Sequence, residues 1–445
     1  ISITDLSEPL LKLGGIRFHP RSNTLQRLSF VQNVQVLDLK SQEIKALSLP
    51  PDQRWGGPAW SYDGKRIAMC QYGHDKACLW VFDAETGQGR VIASGVNNLL
   101  MTPFHWEGDN EHLLASLIPP DRGQAPAIPE VPAGPQIQET SGTVSQMRTF
   151  PDLLKSPIEE DLFTFYASSQ LARINVVTGQ QELLGKPGLL RDVAPSPDNT
   201  FLLVDRLARP YSRSVPADLF PHTVEIWNPS GTVVQTLADL PNGEQIPIHG
   251  VATGPRAVMW HPLASASLLW GEALDGGDPL ATAAFRDRIM VWDGPFSSSP
   301  TEILRLPQRF SGITWLANKG QALISDIDIE RHWLTTRRVS MEKPTTASDC
   351  PMISSRSTND DYNDPGDPIM ETLTNGQSVA RQDGDMLFLS GTGATPGGNF
   401  PFLQRLNLKT LEIQPLFRSA TGTYEEVLDV IDDPRGTQFV TLRET

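Results

Sequence analysis

Few residues in this 445-residue chain are spaced for chemistry. A serine nucleophile on a strained strand-to-helix elbow needs Gly-x-Ser-x-Gly, which occurs nowhere in the chain. The glycine-rich stretch Gly391-Thr-Gly-Ala-Thr-Pro-Gly-Gly398 has no serine to act as nucleophile and lacks the Lys-Ser/Thr ending of a phosphate loop, so it reads as a turn. The eight histidines are scattered, with no His-Glu-x-x-His or His-x-His pair that would suit zinc. His105 and His261 flank Trp106 and Trp260 and read as structural polar groups. The turn Asp275-Gly-Gly-Asp278 lacks the regular ligand spacing of a calcium loop. Cys70, Cys78 and Cys350 make no Cys-x-x-Cys pair and no disulfide framework, which suits a reducing compartment. No catalytic residue, metal site or cofactor is therefore assigned.

The elements around these residues are repetitive. An apolar lead into Trp or Pro, a polar turn and an apolar strand recur at Pro58–Ala68, Phe104–Ala115, Ala194–Val204, Val258–Pro262, Ile313–Gly320 and Val430–Gly436. Asp63-Gly64 and Asn318-Lys-Gly320 supply the positive φ angles that tight hairpins require. A second phrase, an alternating strand closing in a polar turn, recurs at Leu79–Gly87, Leu171–Gly179, Val224–Gly231, Ile289–Gly294 and Leu403–Thr410. Trp60 and Trp106 stand 46 residues apart and Trp260 and Trp315 stand 55 apart, close to one four-stranded propeller blade with loop insertions. The pattern predicts an all-β chain, a seven-bladed β-propeller over residues 1–445 whose first blade is incomplete.

Composition sets the partner classes. With 39% hydrophobic residues, 10 Trp and 17 Phe, the chain can build a large core as stacked repeats. Its net charge of −15 argues against nucleic acid and anionic membrane as partners, since both attract basic faces. It contains no apolar run near the length of a membrane span and no signal-peptide pattern.

Two segments interrupt the rhythm. Residues 119–170 form a Pro-rich run followed by a helical stretch, where acidic residues after Ser156-Pro157 suit a helix N-terminus. Ser354–Pro368, with Asp360, Asp361, Asp364 and Asp367, reads as an exposed loop.

A long in-order string of residues resembles the glutamyl endopeptidases, a plastid and bacterial branch of the prolyl oligopeptidase superfamily of serine peptidases. It starts with Leu11-Lys-Leu-Gly-Gly-Ile-Arg-Phe-His-Pro20, Asn23-Thr24 and Arg27-Leu-Ser-Phe30. It continues through Gly134–Gln138, Arg148–Leu154, Glu160–Phe163, Arg209-Pro-Tyr-Ser212 and Asp239-Leu-Pro241. Its most specific stretch is Trp270-Gly-Glu-Ala-Leu-Asp-Gly-Gly-Asp-Pro279, followed by Trp333–Arg338, Asp364-Pro-Gly366, Gly393–Pro396 and Pro401-Phe-Leu403.

The resemblance implies a propeller preceding a C-terminal α/β-hydrolase domain that carries the Ser, Asp and His of the triad, with further strands before Leu11 and the hydrolase domain after Thr445. It implies a peptide substrate, cleavage after glutamate and a bacterial cytoplasmic or plastid stromal location. Within such an enzyme the propeller would gate access and contribute to peptide binding. A substrate carboxylate is best gripped by arginine, whose planar fork bonds it bidentately. Arg209, beside Tyr211, and the pair Arg337-Arg338 are the candidates, with structural ion pairing as their plainer role. Tyr166, Glu159 and Glu160 lie in the inserted helix, where a solvated face is the default. The alternative is a non-catalytic propeller serving as a protein-binding module, which a polar, well-closed face would favour.

Overall fold

A computed structural model describes residues 8–26, 29–127, 149–318, 320–433 and 436–444. The expectations placed on Arg27-Leu28, the end of the Pro-rich run, Gly134–Gln138 and Arg148 lie outside the described residues. The fold is all-β, built mostly from antiparallel meanders in which strands next in sequence are next in the sheet. It divides into two compact units, residues 1–248 with 374–376 and residues 249–373 with 377–445.

The first unit opens with a three-stranded sheet, β1 (Leu11–Leu13), β2 (Ile16–His19) and β3 (Thr24–Leu25), and a hairpin, β4 (Gln35–Leu37) and β5 (Ile44–Ala46). Three four-stranded meanders follow. They are β6 (Ala59–Trp60) to β9 (Gly89–Ser94) through β7 (Arg66–Tyr72) and β8 (Ala77–Asp83), and β10 (Phe104–Trp106) to β13 (Gln181–Gly188) through β11 (His112–Leu117) and β12 (Ser169–Asn175). The third runs from β14 (Leu190–Pro195) through β15 (Leu202–Leu207) and β16 (His222–Trp227) to β17 (Val233–Leu240). The excursion between β11 and β12 holds α1 (Pro157–Ala167), as the sequence predicts.

The second unit has two such meanders. One is β18 (Arg256–Trp260), β19 (Ser267–Ala273), β20 (Asp287–Asp293) and β21 (Thr301–Leu306), and the other is β22 (Arg309–Trp315), β23 (Gln321–Asp328), β24 (Trp333–Ser340) and β25 (Met352–Ser357). A five-stranded sheet orders β26 (Asp367–Pro368), β30 (Met386–Gly391), β33 (Phe402–Asn407) and β34 (Ile413–Arg418), with β29 (Gln382–Asp383) beside β30. Three hairpins complete it: β27 (Met370–Thr372) with β28 (Ser378–Ala380), β31 (Ala394–Thr395) with β32 (Gly398–Asn399), and β35 (Tyr424–Asp433) with β36 (Gly436–Glu444). The Gly391–Gly398 stretch thus holds the end of β30, β31 and the start of β32, with the turn that its composition suggests narrowed to Pro396-Gly397.

Side-chain burial follows strand position. The central strands β7 and β8 are almost wholly buried, whereas the outer strands β13 and β34 are mostly exposed. In two meanders the first two strands meet in a serine-aspartate turn: Ser61 Oγ donates to Asp63 Oδ1 at 2.7 Å, and Ser196 Oγ to Asp198 Oδ1 at 2.7 Å. In three meanders and the five-stranded sheet the last two strands meet in an Asx turn, with Asp83, Asn175, Asn228 and Asn407 accepting backbone N–H groups two or three residues on. Gly64, Gly87, Gly179, Gly231 and Gly320 take the positive φ these turns require.

One expectation changes. Ser354–Ser357 belongs to β25, which pairs with β24 from Trp333↔Ser357 to Arg337↔Met352, and Asp367–Pro368 is β26, so only the stretch between these strands, with a short 3-10 turn at Asp361–Asn363, is loop. The serines of β25 stand on an outer strand, where polar residues are tolerated on both faces, so the segment carries little apolar signal. No helix of the described residues is long and apolar enough to cross a membrane.

Candidate functional site

The sequence-nominated residues are best understood from α1 outward. Ser156 caps the helix by accepting from the Glu159 N–H at 3.4 Å, with Pro157 in its first turn. Leu162, Phe163, Tyr166 and Ala167 form its buried face. Phe163 meets Tyr211 and Phe220 edge-on at 5.3 and 5.6 Å, and Tyr211 stacks on Phe220 at 5.2 Å. On its other side Phe18 of β2 packs on Tyr166 at 5.1 Å. Asn23 and Asn97 both donate to the Tyr166 carbonyl, at 3.0 and 2.9 Å. Tyr166 is therefore core, and α1 is bolted to the N-terminal sheet and the 209–220 loop of its own unit.

Arg209 rests over Tyr211, 4.8 Å from the ring centre, and donates to Asp161 Oδ1 at 2.7 Å and Thr164 Oγ1 at 2.8 Å. Burial pulls the Arg209 pKa down, but Asp161 and Tyr211 more than restore it. The Tyr211 hydroxyl is hydrogen-bonded to Thr164 Oγ1 at 2.8 Å, and burial of the phenol pushes its pKa up. Arg213 pairs with Glu160 at 2.7 Å, while Glu159 accepts the Lys155 N–H at 2.6 Å. Half of the Arg209 side chain remains exposed.

Arg337 and Arg338 lie next to each other on β24, and successive strand side chains point to opposite faces. Arg337 is paired with the nearly inaccessible Asp326, whose other oxygen accepts the Gln308 N–H at 3.0 Å. Arg338 donates its backbone N–H to Pro351 O at 2.9 Å, and its side chain is partly exposed.

Two polar clusters carry no sequence signature. Arg309 bridges Asp287 Oδ1 at 2.6 Å and Asp275 Oδ2 at 2.7 Å, with both carboxylates out of solvent. Arg256 adds a second cation to Asp287 at 2.6 Å and Arg286 a second to Asp275 at 2.8 Å. Burial would raise the Asp275 pKa, but the bonds from Arg309 and Arg286 outweigh it and hold the carboxyl below its usual range. The Asp275–Asp278 turn is thereby committed to arginine. Elsewhere Glu107, Asp109 and His112 come within ligand distance of one another, but Arg173 bonds Glu107 bidentately at 2.7 and 3.0 Å and Asp109 holds His112 Nδ1 at 2.7 Å. His261 stacks on Trp315 at 4.1 Å and accepts the Leu263 N–H at 3.1 Å, while His105 lies in β10 with Nε2 buried. All three cysteines are buried, and none is in a disulfide.

One feature had no sequence signal beyond an isolated cation in the Pro-rich run. Arg122, just past β11, lays its guanidinium over Phe165 at 4.4 Å and donates to Asn23 Oδ1 at 2.6 Å. Asn23 precedes β3, and Leu25 and Gln26 line a cavity of about 540 Å³ together with Gly56, Asn98, Leu99 and Thr102.

Comparison with known proteins adds ancestry to this geometry. The chain is 34% identical over 454 residues to a probable chloroplastic glutamyl endopeptidase of Oryza sativa subsp. japonica, covering 96% of this chain and 47% of the relative. It is 34% identical over 461 residues to the Arabidopsis thaliana protein of that name, covering 97% and 47%. The chain thus spans about half the length of the curated relatives it matches. Among solved structures, a putative dipeptidyl aminopeptidase IV from Bacteroides ovatus aligns with a TM-score of 0.49 at 10% identity, over 94% of this chain and 55% of that one. The β-propeller domain of the trilobed protease from Pyrococcus furiosus aligns with a TM-score of 0.42 at 11% identity, over 88% and 90%. No family model matches. By its sequence the chain is a relative of the glutamyl endopeptidases, as its in-order motifs imply.

Proposed function

We propose that this chain is the propeller portion of a prolyl-oligopeptidase-type serine peptidase of the glutamyl endopeptidase kind. Its task is to gate the access of peptides to a partner α/β-hydrolase domain and to contribute to peptide binding. The observation that carries the reading is the 34% identity sustained across 96% of the chain. The five four-stranded meanders support it, because a propeller blade is such a meander. In this reading they are blades of one seven-bladed ring spanning 1–445, with the helical excursion at 119–170 as its principal insertion.

Hydrolysis itself is assigned to the partner domain, since acyl transfer needs a nucleophile, a base and oxyanion donors held together. Of the two expected locations, bacterial cytoplasm and plastid stroma, the second suits the relatives' chloroplastic names. Of the four nominated peptide contacts, half-exposed Arg209 on Tyr211 and partly exposed Arg338 keep surface open to a ligand, whereas the Arg337 guanidinium meets one only by leaving Asp326.

Intact-mass analysis of the protein from its source, with and without a serine-reactive phosphonate, tests the reading. A mass well above 49.0 kDa that increases on labelling is expected. A mass of 49.0 kDa that does not shift would instead leave a propeller acting as a protein-binding module.

A further inference from the structure

Arg66 on β7 and Arg90 on β9 keep different company from Arg173, Arg209, Arg309 and Arg337, each of which is ion-paired to a carboxylate. Their hydrogen bonds go to neutral carbonyl oxygens. Arg66 Nη1 donates to Asn110 O at 3.2 Å, and Arg90 Nη2 donates to Val176 O at 2.7 Å and to Val177 O. Each thus spends one terminal nitrogen, and among the described residues Nε and the other terminal nitrogen of both guanidiniums are left over.

The two arginines reach the same place. Asn110 lies in the turn from β10 to β11 and Val176 just past β12, and the Val176 N–H bonds Glu111 O at 2.8 Å, so the anchoring turns are joined to each other. On their own sheet the arginines stand on one face with Asp83, opposite Arg66, and Val81, opposite Arg90. These four residues, with Gln88 and the 176–177 turn, line a groove of about 390 Å³, within the usual range of ligand sites. The groove sits at the His112↔Asn175 end of the β11–β12 ladder, whereas residues 118–169 leave that ladder at the Leu117↔Gln170 end, about 17 Å along the strands.

Carbonyl dipoles orient the two guanidiniums without cancelling their charges, which repel each other. Asp83 offsets one of them. Its exposed carboxylate is engaged through Oδ1 by the Thr86 N–H and hydroxyl, at 2.8 and 2.9 Å, and these bonds hold its pKa below the usual range. One net positive charge and the free edges of two planar forks remain, an arrangement suited to an oxyanion with acceptors on several sides, as a phosphoryl group has. Buried Val81 and Val176 and exposed Val177 add an apolar wall for the organic part of an ester.

We infer that the groove between Arg66 and Arg90 is a binding site for a phosphoryl group, carried as inorganic phosphate or as a phosphomonoester. The site is independent of the peptidase role proposed above.

Isothermal titration calorimetry of the chain with inorganic phosphate and with phenyl phosphate, at fixed ionic strength, separates the two sources. At least one should bind with a dissociation constant of about 1 mM or below. Tighter binding of phenyl phosphate assigns the ester, and equal or weaker binding assigns inorganic phosphate. R66Q and R90Q should each weaken binding about tenfold or more, as lost charged hydrogen bonds do, whereas R305Q, outside the groove, should leave it unchanged. D83N should tighten it, because the carboxylate no longer repels the ligand, a gain that a merely structural role for these side chains does not give. If neither probe binds saturably up to about 10 mM, the inference is overturned. It is equally overturned if R66Q and R90Q melt like the parent and bind undiminished. If the glutamine variants fail to fold, R66K and R90K decide: both keep the charge and lose the fork, and undiminished binding in both overturns the inference.

Discussion

Arg309 and Asp287 lie 2.6 Å apart, Nη1 to Oδ1, with the aspartate wholly out of solvent and the arginine side chain 5% exposed. Removing one partner of such a pair strands charge in a dry site at a cost of about 3–5 kcal/mol. Urea unfolding of D287N should show a loss of that order, because Arg309 and Arg256 both lose their carboxylate. R305Q, which removes the half-exposed Arg305 from its surface pair with Glu302, should leave the midpoint unchanged.

The α1 clamp predicts a split between polar and apolar partners. R209Q breaks a half-exposed ion pair and should cost about 0.2–1 kcal/mol, whereas F220A empties a fully buried aromatic site and should cost about 3–5 kcal/mol.

His105 should impose a pH dependence. Burial pushes its pKa below the ordinary 6.5, and Asp192 only partly opposes this. The unfolded chain therefore takes up the proton first as pH falls through 6.5, so stability declines from there until the lowered folded pKa is reached. Denaturation measured at several pH values should show that decline in the parent and a flatter profile in H105Q.

Gly231 should be irreplaceable. It sits at φ +82°, and a Cβ there would lie 2.1 Å from the Gly185 backbone nitrogen. Gly64 has φ +70° and open space around it. G64A should therefore show mainly the conformational cost, about 1 kcal/mol, and G231A a markedly larger drop in melting temperature.

The strands and turns were legible because their signals are local. Asp63-Gly64, Asn175 and Asn228 build the turns in which they stand, the apolar run of β8 matches its nearly continuous burial, and Val224 and Ile226 of β16 are buried on either side of Glu225. The helix was legible from Ser156-Pro157 for the same reason. The polar sites were not, because their partners are remote in sequence: Arg173 finds Glu107 66 residues away, and Arg122 finds Asn23 99 residues away. Arg209 illustrates the limit from the other side. Its neighbours Pro210 and Tyr211 marked it as noteworthy, but only the fold shows that Asp161 and Thr164 hold it.

The pairing of Leu117 with Gln170 places residues 118–169 between two adjacent strands of one sheet. Closing such a loop grows dearer only by about 0.6 kcal/mol per doubling of length, so roughly 50 residues in place of a short hairpin cost on the order of 2 kcal/mol. Phe163, buried to 1% exposure on α1, recovers about that much by itself. That recovery depends on Tyr211 and Phe220 across the sheet, so the length of the excursion is cheap to vary only where α1 and these partners are kept.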